Sequence, residues 1–121
     1  MKEKEFLEIC LKKKGAYLDF PFGSDVAVVK VGKRIFAQLF ELKGITTITL
    51  NCTYEGGLYY RNAYPGIVTR GYHCPLVQQP YFNSMPLDKL SDEIINEMID
   101  YSYNTVLNKL PKYIQAEIDN G

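Results

Sequence analysis

The chain has 121 residues, a length typical of one domain that buries its own hydrophobic core. Basic and acidic residues balance at 14 each, so net charge gives no bias toward nucleic acid, an anionic membrane or an acidic substrate. Any charged partner must therefore be met by a local patch. The three cysteines, Cys10, Cys52 and Cys74, form no C-x-x-C pair, which argues against a disulfide framework and a closed zinc site.

The N-terminal stretch "MKEKEFLEICLKKKG" never reaches an apolar run of signal length, and no later window approaches the length of a membrane span. We therefore expect one domain over residues 1–121, in the cytoplasm, with reduced thiols, no membrane contact and no partner copy, that is, a monomer.

The first part of the chain predicts an amphipathic helix over residues 3–13, because apolar side chains recur there at helical spacing and Gly15 is placed to end it. A three-stranded meander follows, formed by "DVAVVKV", "RIFAQLFEL" and "ITTITLNC". Two-residue turns at Gly32–Lys33 and Lys43–Gly44 join these strands. Alternation in the third strand predicts an inward face with Ile48, Leu50 and Cys52 and a wet face with Thr47, Thr49 and Asn51.

The second part predicts a short helix over residues 53–64, two further strands in "GIVTRGYH" and "PYFNSM", and a long helix that begins at the N-cap Ser91. The long helix ends near Lys109 and Pro111. Its buried stripe is expected to consist of Ile95, Met98, Ile99, Ser102, Val106 and Leu110.

These elements predict an α+β fold, a two-layer sandwich in which the N- and C-terminal helices cover one face of an antiparallel sheet. The opposite face is expected to meet solvent or a partner.

Five segments, in this order, resemble the MmcQ/YjbR family of small bacterial proteins. They are "DFPFGSDVAVVKVGKRIFA" (19–37), "NC" (51–52), "YPGIVTRGYH" (64–73), "NSM" (83–85) and "IDYSYNTVLNKLP" (99–111). The resemblance implies a frataxin-like, or CyaY-like, fold with no established cofactor or catalytic residue. It also implies the DNA-binding label that the family usually carries, a label that rests on analogy between folds.

The chain departs from the family pattern at two informative places. Asn51 stands where relatives usually have a lysine, and "CPLVQQPYF" (74–82) replaces a commonly basic segment. The loop after His73 has thereby lost positive charge, which weakens the nucleic-acid interpretation for this member.

Basic residues near the predicted turns and strands are the first candidate site. Exposed charges are ordinary at such positions, whereas a functional interpretation is a positive strip along one sheet edge that contacts phosphates. The residues assigned to this strip are Lys30, Lys33, Arg34 and Arg70.

The aromatic segment around the single histidine is the second candidate site. Tyrosines commonly pack at the margin of a core with their hydroxyls wet, but an exposed cluster here would hold a peptide, a single-stranded base or a small ligand. The residues assigned to this contact are Tyr72, His73, Tyr81, Phe82 and Asn83.

An activated thiol is the third alternative. Adjacent residues on an extended segment point to opposite faces, which predicts that His73 and Cys74 do not act on one substrate. We expect no catalytic residue and no metal site, because ligand spacing is absent and the first helix mixes lysines with glutamates. The sequence therefore predicts a cofactor-free, non-enzymatic protein that binds nucleic acid. The second alternative is a module that binds a protein or a small ligand, and the third is a thiol- or histidine-dependent enzyme.

Overall fold

The computed structural model describes all 121 residues and confirms the predicted α+β class. One antiparallel sheet has six strands in the order β1-β2-β3-β4-β6-β5, and helices cover one of its faces. The elements are α1 (Glu3–Leu11), β1 (Tyr17–Asp19), β2 (Ala27–Val31), β3 (Arg34–Leu42), β4 (Ile45–Asn51), α2 (Tyr54–Ala63), β5 (Thr69–Arg70), a 3₁₀ turn (Gln79–Tyr81), β6 (Phe82–Pro86), α3 (Asp92–Lys109) and α4 (Lys112–Asn120).

Both predicted hairpin turns are confirmed. Gly32 and Lys33 have φ angles of 55° and 70°, and Lys43 and Gly44 have φ angles of 50° and 79°. Two successive left-handed residues match the right-handed twist of paired strands, so these turns fix the registers of β2 with β3 and of β3 with β4.

A β-bulge in β3 decides which side chains face the helices. Val29 pairs with Ala37, while Lys30 pairs with Ile35, so Phe36 is the extra residue of β3. Phe36 and Ala37 both join the helix-side core, whereas Ile35 lies on the opposite face of the sheet.

Ser102 of α3 bridges the two strands beside this bulge. Its hydroxyl accepts a hydrogen bond from the Asn51 backbone N–H at 2.8 Å and donates one to the Phe36 carbonyl. Ser102 is fully buried, so these two backbone groups depend on its hydroxyl for satisfaction. The small side chain also lets α3 lie close against the sheet.

The predicted long helix is confirmed at both ends. The Ser91 hydroxyl accepts from the Ile94 backbone N–H at 3.3 Å, and the helix ends at Lys109 before Pro111. The helix-side core contains residues from α1, α2, α3 and every central strand, among them Phe6, Cys10, Val31, Leu50, Tyr60, Met85, Ile99 and Val106.

The predicted short helix is confirmed as α2, and the structure explains its two glycines. A Cβ atom on Gly56 would lie 2.0 Å from the Tyr101 hydroxyl oxygen, and one on Gly57 would lie 2.9 Å from the Cys52 sulfur. Only glycine allows α2 to approach Tyr101 and Cys52 this closely. Glycine is therefore present at both positions although its helix propensity is unfavourable.

One strand and one α-helix were not predicted. Residues 17–19 form the edge strand β1 on β2, and residues 112–120 form α4, whose Ile118 packs against the core. Conversely, the strand predicted in "GIVTRGYH" shrinks to Thr69–Arg70, because the chain turns at Gly71.

The expectation of a free, wet sheet face was wrong. The loop Gly71–Gln78 leaves the edge strand β5 and crosses this face, so that His73 reaches Gln38 and Phe40 of β3. Thr49 is only 1% exposed there, and its hydroxyl hydrogen-bonds that of Ser84 at 2.7 Å. The loop thus covers part of the helix-free side of the sheet.

Replacement of Ser102 by alanine tests the bridge beside the bulge. Two buried backbone groups would lose their partner, so we expect Ser102→Ala to lower the free energy of unfolding by about 3 kcal/mol in urea denaturation. The control is Thr105→Val on the same helix, whose hydroxyl donates only to the Tyr101 carbonyl one turn earlier, with an expected loss below about 1 kcal/mol. Equal losses in the two variants would contradict the bridging role.

Candidate functional site

The loop Gly71–Gln78 is held in place by a set of local hydrogen bonds. The Gly71 N–H donates to the Phe82 carbonyl at 2.9 Å, which anchors the start of the loop beside β6. The Gln79 side-chain amide donates to the Tyr72 and Cys74 carbonyls at 3.3 and 3.1 Å. These contacts close the loop on itself and fix its position over the sheet.

His73 is the side chain through which the loop contacts the sheet. Its ring meets that of Phe40 edge-on, with centroids 4.9 Å apart, and its Nε2 lies 3.4 Å from Gln38 Oε1. Its outer side stays exposed to solvent. The loop is thereby connected to a side chain of the central strand β3.

A cleft of about 380 Å³, which we call the loop cleft, lies between the loop and the sheet. Most of its wall is apolar, and the amides of Gln38 and Gln78 with the His73 imidazole supply its polar groups. No carboxylate, lysine or arginine lines it. The lining residues are Phe22, Val26, Ile35, Gln38, Phe40, His73, Cys74, Pro75, Gln78 and Phe82.

The prediction that His73 and Cys74 point apart was wrong, since the chain turns at these residues and the Cys74 sulfur lies 3.7 Å from His73 Nε2. Burial raises the pKa of the Cys74 thiol and lowers the pKa of the His73 imidazole. Both shifts favour the uncharged pair, so the nucleophilic thiolate is a minor species at neutral pH. Cys52 lies elsewhere, near the Pro80 carbonyl, and burial raises its pKa to about 11.

The basic residues predicted to form one strip are separated in the structure. Lys30 Nζ lies 2.7 Å from Asp19 Oδ2 on the neighbouring strand β1, so its charge is already paired. Arg70 lies four strands away from β2 in register with Asn83, a separation of about 19 Å. Only Lys33 and Arg34, at the turn between β2 and β3, remain together.

Lys33 and Arg34 are joined by Lys109 of α3 around a second concavity of about 410 Å³, the basic depression. None of these three cations forms an ion pair within the protein. The Lys109 ammonium lies 5.8 Å from the centroid of the Tyr81 ring. Asn51 also lines this concavity; it is 8% exposed, and its buried Oδ1 has no hydrogen-bond partner.

The structure divides the predicted aromatic contact set. His73 and Phe82 line the loop cleft, and Tyr81 lines the basic depression. Tyr72 is 70% exposed and lines neither. Asn83 faces the helices, is 1% exposed and accepts a hydrogen bond from Arg61 at 2.7 Å, so it does not lie on this surface.

Sequence reasoning missed several residues that line the two concavities. Gln38 is the one polar residue inside the apolar run "IFAQLF", which is a signal for an inward-facing hydrogen-bonding role. Lys109 was interpreted only as a residue that ends α3. The sequence around Phe22, Ile35 and Phe40 contains no signal that these residues lie beside the loop.

The structure contains neither a cluster of metal-ligating side chains nor a membrane-spanning helix. No three or more histidine, cysteine or acidic side chains are grouped so as to hold a metal ion. None of the helices is both long and apolar enough to cross a membrane.

Comparisons with known proteins agree on the fold. A solved structure of the Deinococcus radiodurans protein DR2400, described with a DUF419 domain, matches with a TM-score of 0.84 at 24% identity over 96% of this chain and 86% of that one. A solved Pseudomonas syringae protein matches with a TM-score of 0.72 at 20% identity over 87% of this chain and 98% of that one. Neither is described as a frataxin, so the frataxin-like comparison stays a prediction.

Sequence comparison identifies the family. The Escherichia coli O157:H7 protein named "Uncharacterized protein YbdF" is 29% identical over 119 residues, which cover 98% of this chain and 88% of that protein. The YjbR family model matches residues 11–105, most of the chain. The chain, with its loop cleft and basic depression, belongs to the YjbR family.

Proposed function

We propose that this protein is a non-enzymatic binding protein that takes up a small, largely apolar molecule in the loop cleft. The observation that carries the proposal is the cleft itself, about 380 Å³ in volume, walled by apolar side chains and free of charged ones. Small-molecule sites are usually concave and mostly apolar, with a few polar groups that orient the ligand.

The polar groups of the cleft define what such a ligand must carry. Gln38 and Gln78 present amides that both donate and accept, and His73 in its neutral form does the same. A ligand with one hydroxyl, amide or carbonyl group beside an apolar body would satisfy them. A charged group inside this cleft would meet no counter-ion.

The state of the His73–Cys74 pair supports binding over catalysis. A thiol with a raised pKa next to an imidazole with a lowered pKa lacks the thiolate that nucleophilic catalysis needs. The imidazole has Gln38 and the thiol as neighbours, and neither is a carboxylate that would stabilise an imidazolium.

Contact with nucleic acid is the second candidate function, favoured by the three unpaired cations around the basic depression and by Tyr81 as a stacking surface. Lys30 and Arg70 contribute little to it, because one is paired with Asp19 and the other lies at the far edge of the sheet. About three phosphate contacts would give weak, strongly salt-dependent binding.

Titration with a neutral apolar dye tests uptake by the cleft. We expect N-phenyl-1-naphthylamine to bind with a Kd of about 10–100 μM, measured by its fluorescence increase. The variant Val26→Phe adds a ring to the cleft wall and should weaken binding about tenfold.

The matched control for this titration is Val77→Phe. Val77 belongs to the covering loop but is 80% exposed and does not line the cleft, so this variant should bind the dye like the wild type. Binding that is absent, or unchanged by Val26→Phe, would refute uptake in the loop cleft.

The pH dependence of dye binding tests the role of His73. Because burial lowers the pKa of His73, its NMR titration should have a midpoint below the ordinary value of about 6.5. The neutral imidazole is the form that suits the uncharged cleft. Affinity should therefore be constant above pH 7 and fall as the pH drops through this midpoint, by up to about tenfold per unit.

His73 is the only histidine, so the variant His73→Gln should bind the dye with no pH dependence between about pH 5.5 and 7.5. A midpoint above 6.5, or a wild type as flat as the variant, would contradict a desolvated imidazole in the cleft wall.

Low-salt titration with labelled single-stranded and duplex DNA tests the second candidate. We expect a Kd just below about 100 μM, the weak end of non-specific binding. Arg34→Gln should weaken binding and reduce the salt slope by about one, whereas Lys89→Gln, an exposed lysine outside the depression, should not. No binding tighter than about 100 μM would remove nucleic acid as a function.

A further inference from the structure

The loop cleft and the basic depression are adjacent to each other. They share the side chains of Ile35, Gln78 and Phe82, which form the boundary between them. A molecule bound in the cleft therefore has one end within reach of the depression. The two concavities differ sharply in chemistry, since one is uncharged and the other carries three cations.

The cations of the depression have no partner in the chain. Lys33, Arg34 and Lys109 come from two separate elements and converge without an acidic residue among the lining groups. All three ion pairs of the protein lie elsewhere and use other residues. Three like charges held close together repel one another, so an anion between them would relieve that repulsion.

Asn51 is an independent sign that the depression is built for a ligand. Its backbone N–H donates to Ser102, and the residue lines the depression while being more than nine-tenths buried. The Oδ1 atom has no hydrogen-bond partner, although leaving a buried acceptor unsatisfied destabilises the folded protein. A hydroxyl or amide N–H on a ligand would satisfy it.

We propose that the ligand is an amphipathic anion, with its apolar body in the loop cleft and a carboxylate, sulfonate or phosphate head between Lys33, Arg34 and Lys109. This inference rests on the proposed function and specifies its ligand class. The head group lies beside Asn51, so an acid that also bears a hydroxyl or amide donor fits the site best.

The size of the two concavities limits the class further. Gln38 in the cleft and Arg34 in the depression are four residues apart along β3, a distance of about 13 Å or less in an extended strand. A ring system or one short chain spans this distance. A lipid with two long chains does not fit it.

Two dyes with the same ring skeleton test the proposal. N-phenyl-1-naphthylamine is neutral, whereas 1-anilinonaphthalene-8-sulfonate adds one sulfonate to that skeleton. At low salt we expect the sulfonate dye to bind about tenfold tighter, a difference of about 1.4 kcal/mol, because its charge contacts the cations of the depression. This advantage should shrink as salt screens the cations.

The double variant Arg34→Gln/Lys109→Gln should reduce the advantage of the sulfonate dye to less than about twofold while leaving the neutral dye unaffected. Both residues are exposed, so their replacement leaves the core intact. The control Lys89→Gln removes an exposed charge outside both concavities and should retain the full advantage.

The outcomes separate this inference from the proposed function. If the neutral dye fails to bind, the proposed function fails and the inference fails with it. If the neutral dye binds but the sulfonate dye binds no tighter, only the inference is overturned. The same holds if the double variant keeps the full advantage of the sulfonate dye over the neutral dye. A tenfold advantage lost in the double variant and kept in Lys89→Gln supports it.

Discussion

The hydroxyl of Ser102 is the contact on which the arrangement of both concavities depends. It links β3 and β4 next to Phe36, the residue that bulges out of the ladder between β2 and β3, and it belongs to the helix that covers the opposite face. The bulge turns Phe36 toward the helices and Ile35 toward the cleft. The same hydrogen bond fixes the backbone of Asn51, so one buried side chain positions parts of both concavities.

Uncharged and charged side chains are separated between the two concavities. The cleft under the His73 loop excludes charged side chains, and its one ionisable base is held in the neutral form. The cations stand just outside, at a strand turn and at the end of α3, where solvent reduces their mutual repulsion. In the proposed binding mode, the apolar body and the acidic head of the ligand would therefore contact different residues.

Local patterns in the sequence predicted the elements whose signals are short-range. The N-cap Ser91, the stripe of α3 and the two hairpin turns depend on neighbouring residues and were confirmed. The path of the loop over the sheet depends on the contact of His73 with Phe40, 33 positions earlier, which no periodicity encodes. The pairing of Lys30 was missed for a similar reason, because the three-residue strand β1 is too short to show alternation. Of the ten residues that line the cleft, only His73 and Phe82 belonged to the predicted contact set.

The two outermost strands are very short, three residues in β1 and two in β5. Edge strands of that length expose few free backbone donors and acceptors. An extended peptide or a second copy of the chain could therefore form only a few backbone hydrogen bonds with them. Association through added strands is thereby disfavoured at both borders. In the proposed binding mode, selectivity would come from the side chains of the two concavities instead of main-chain pairing.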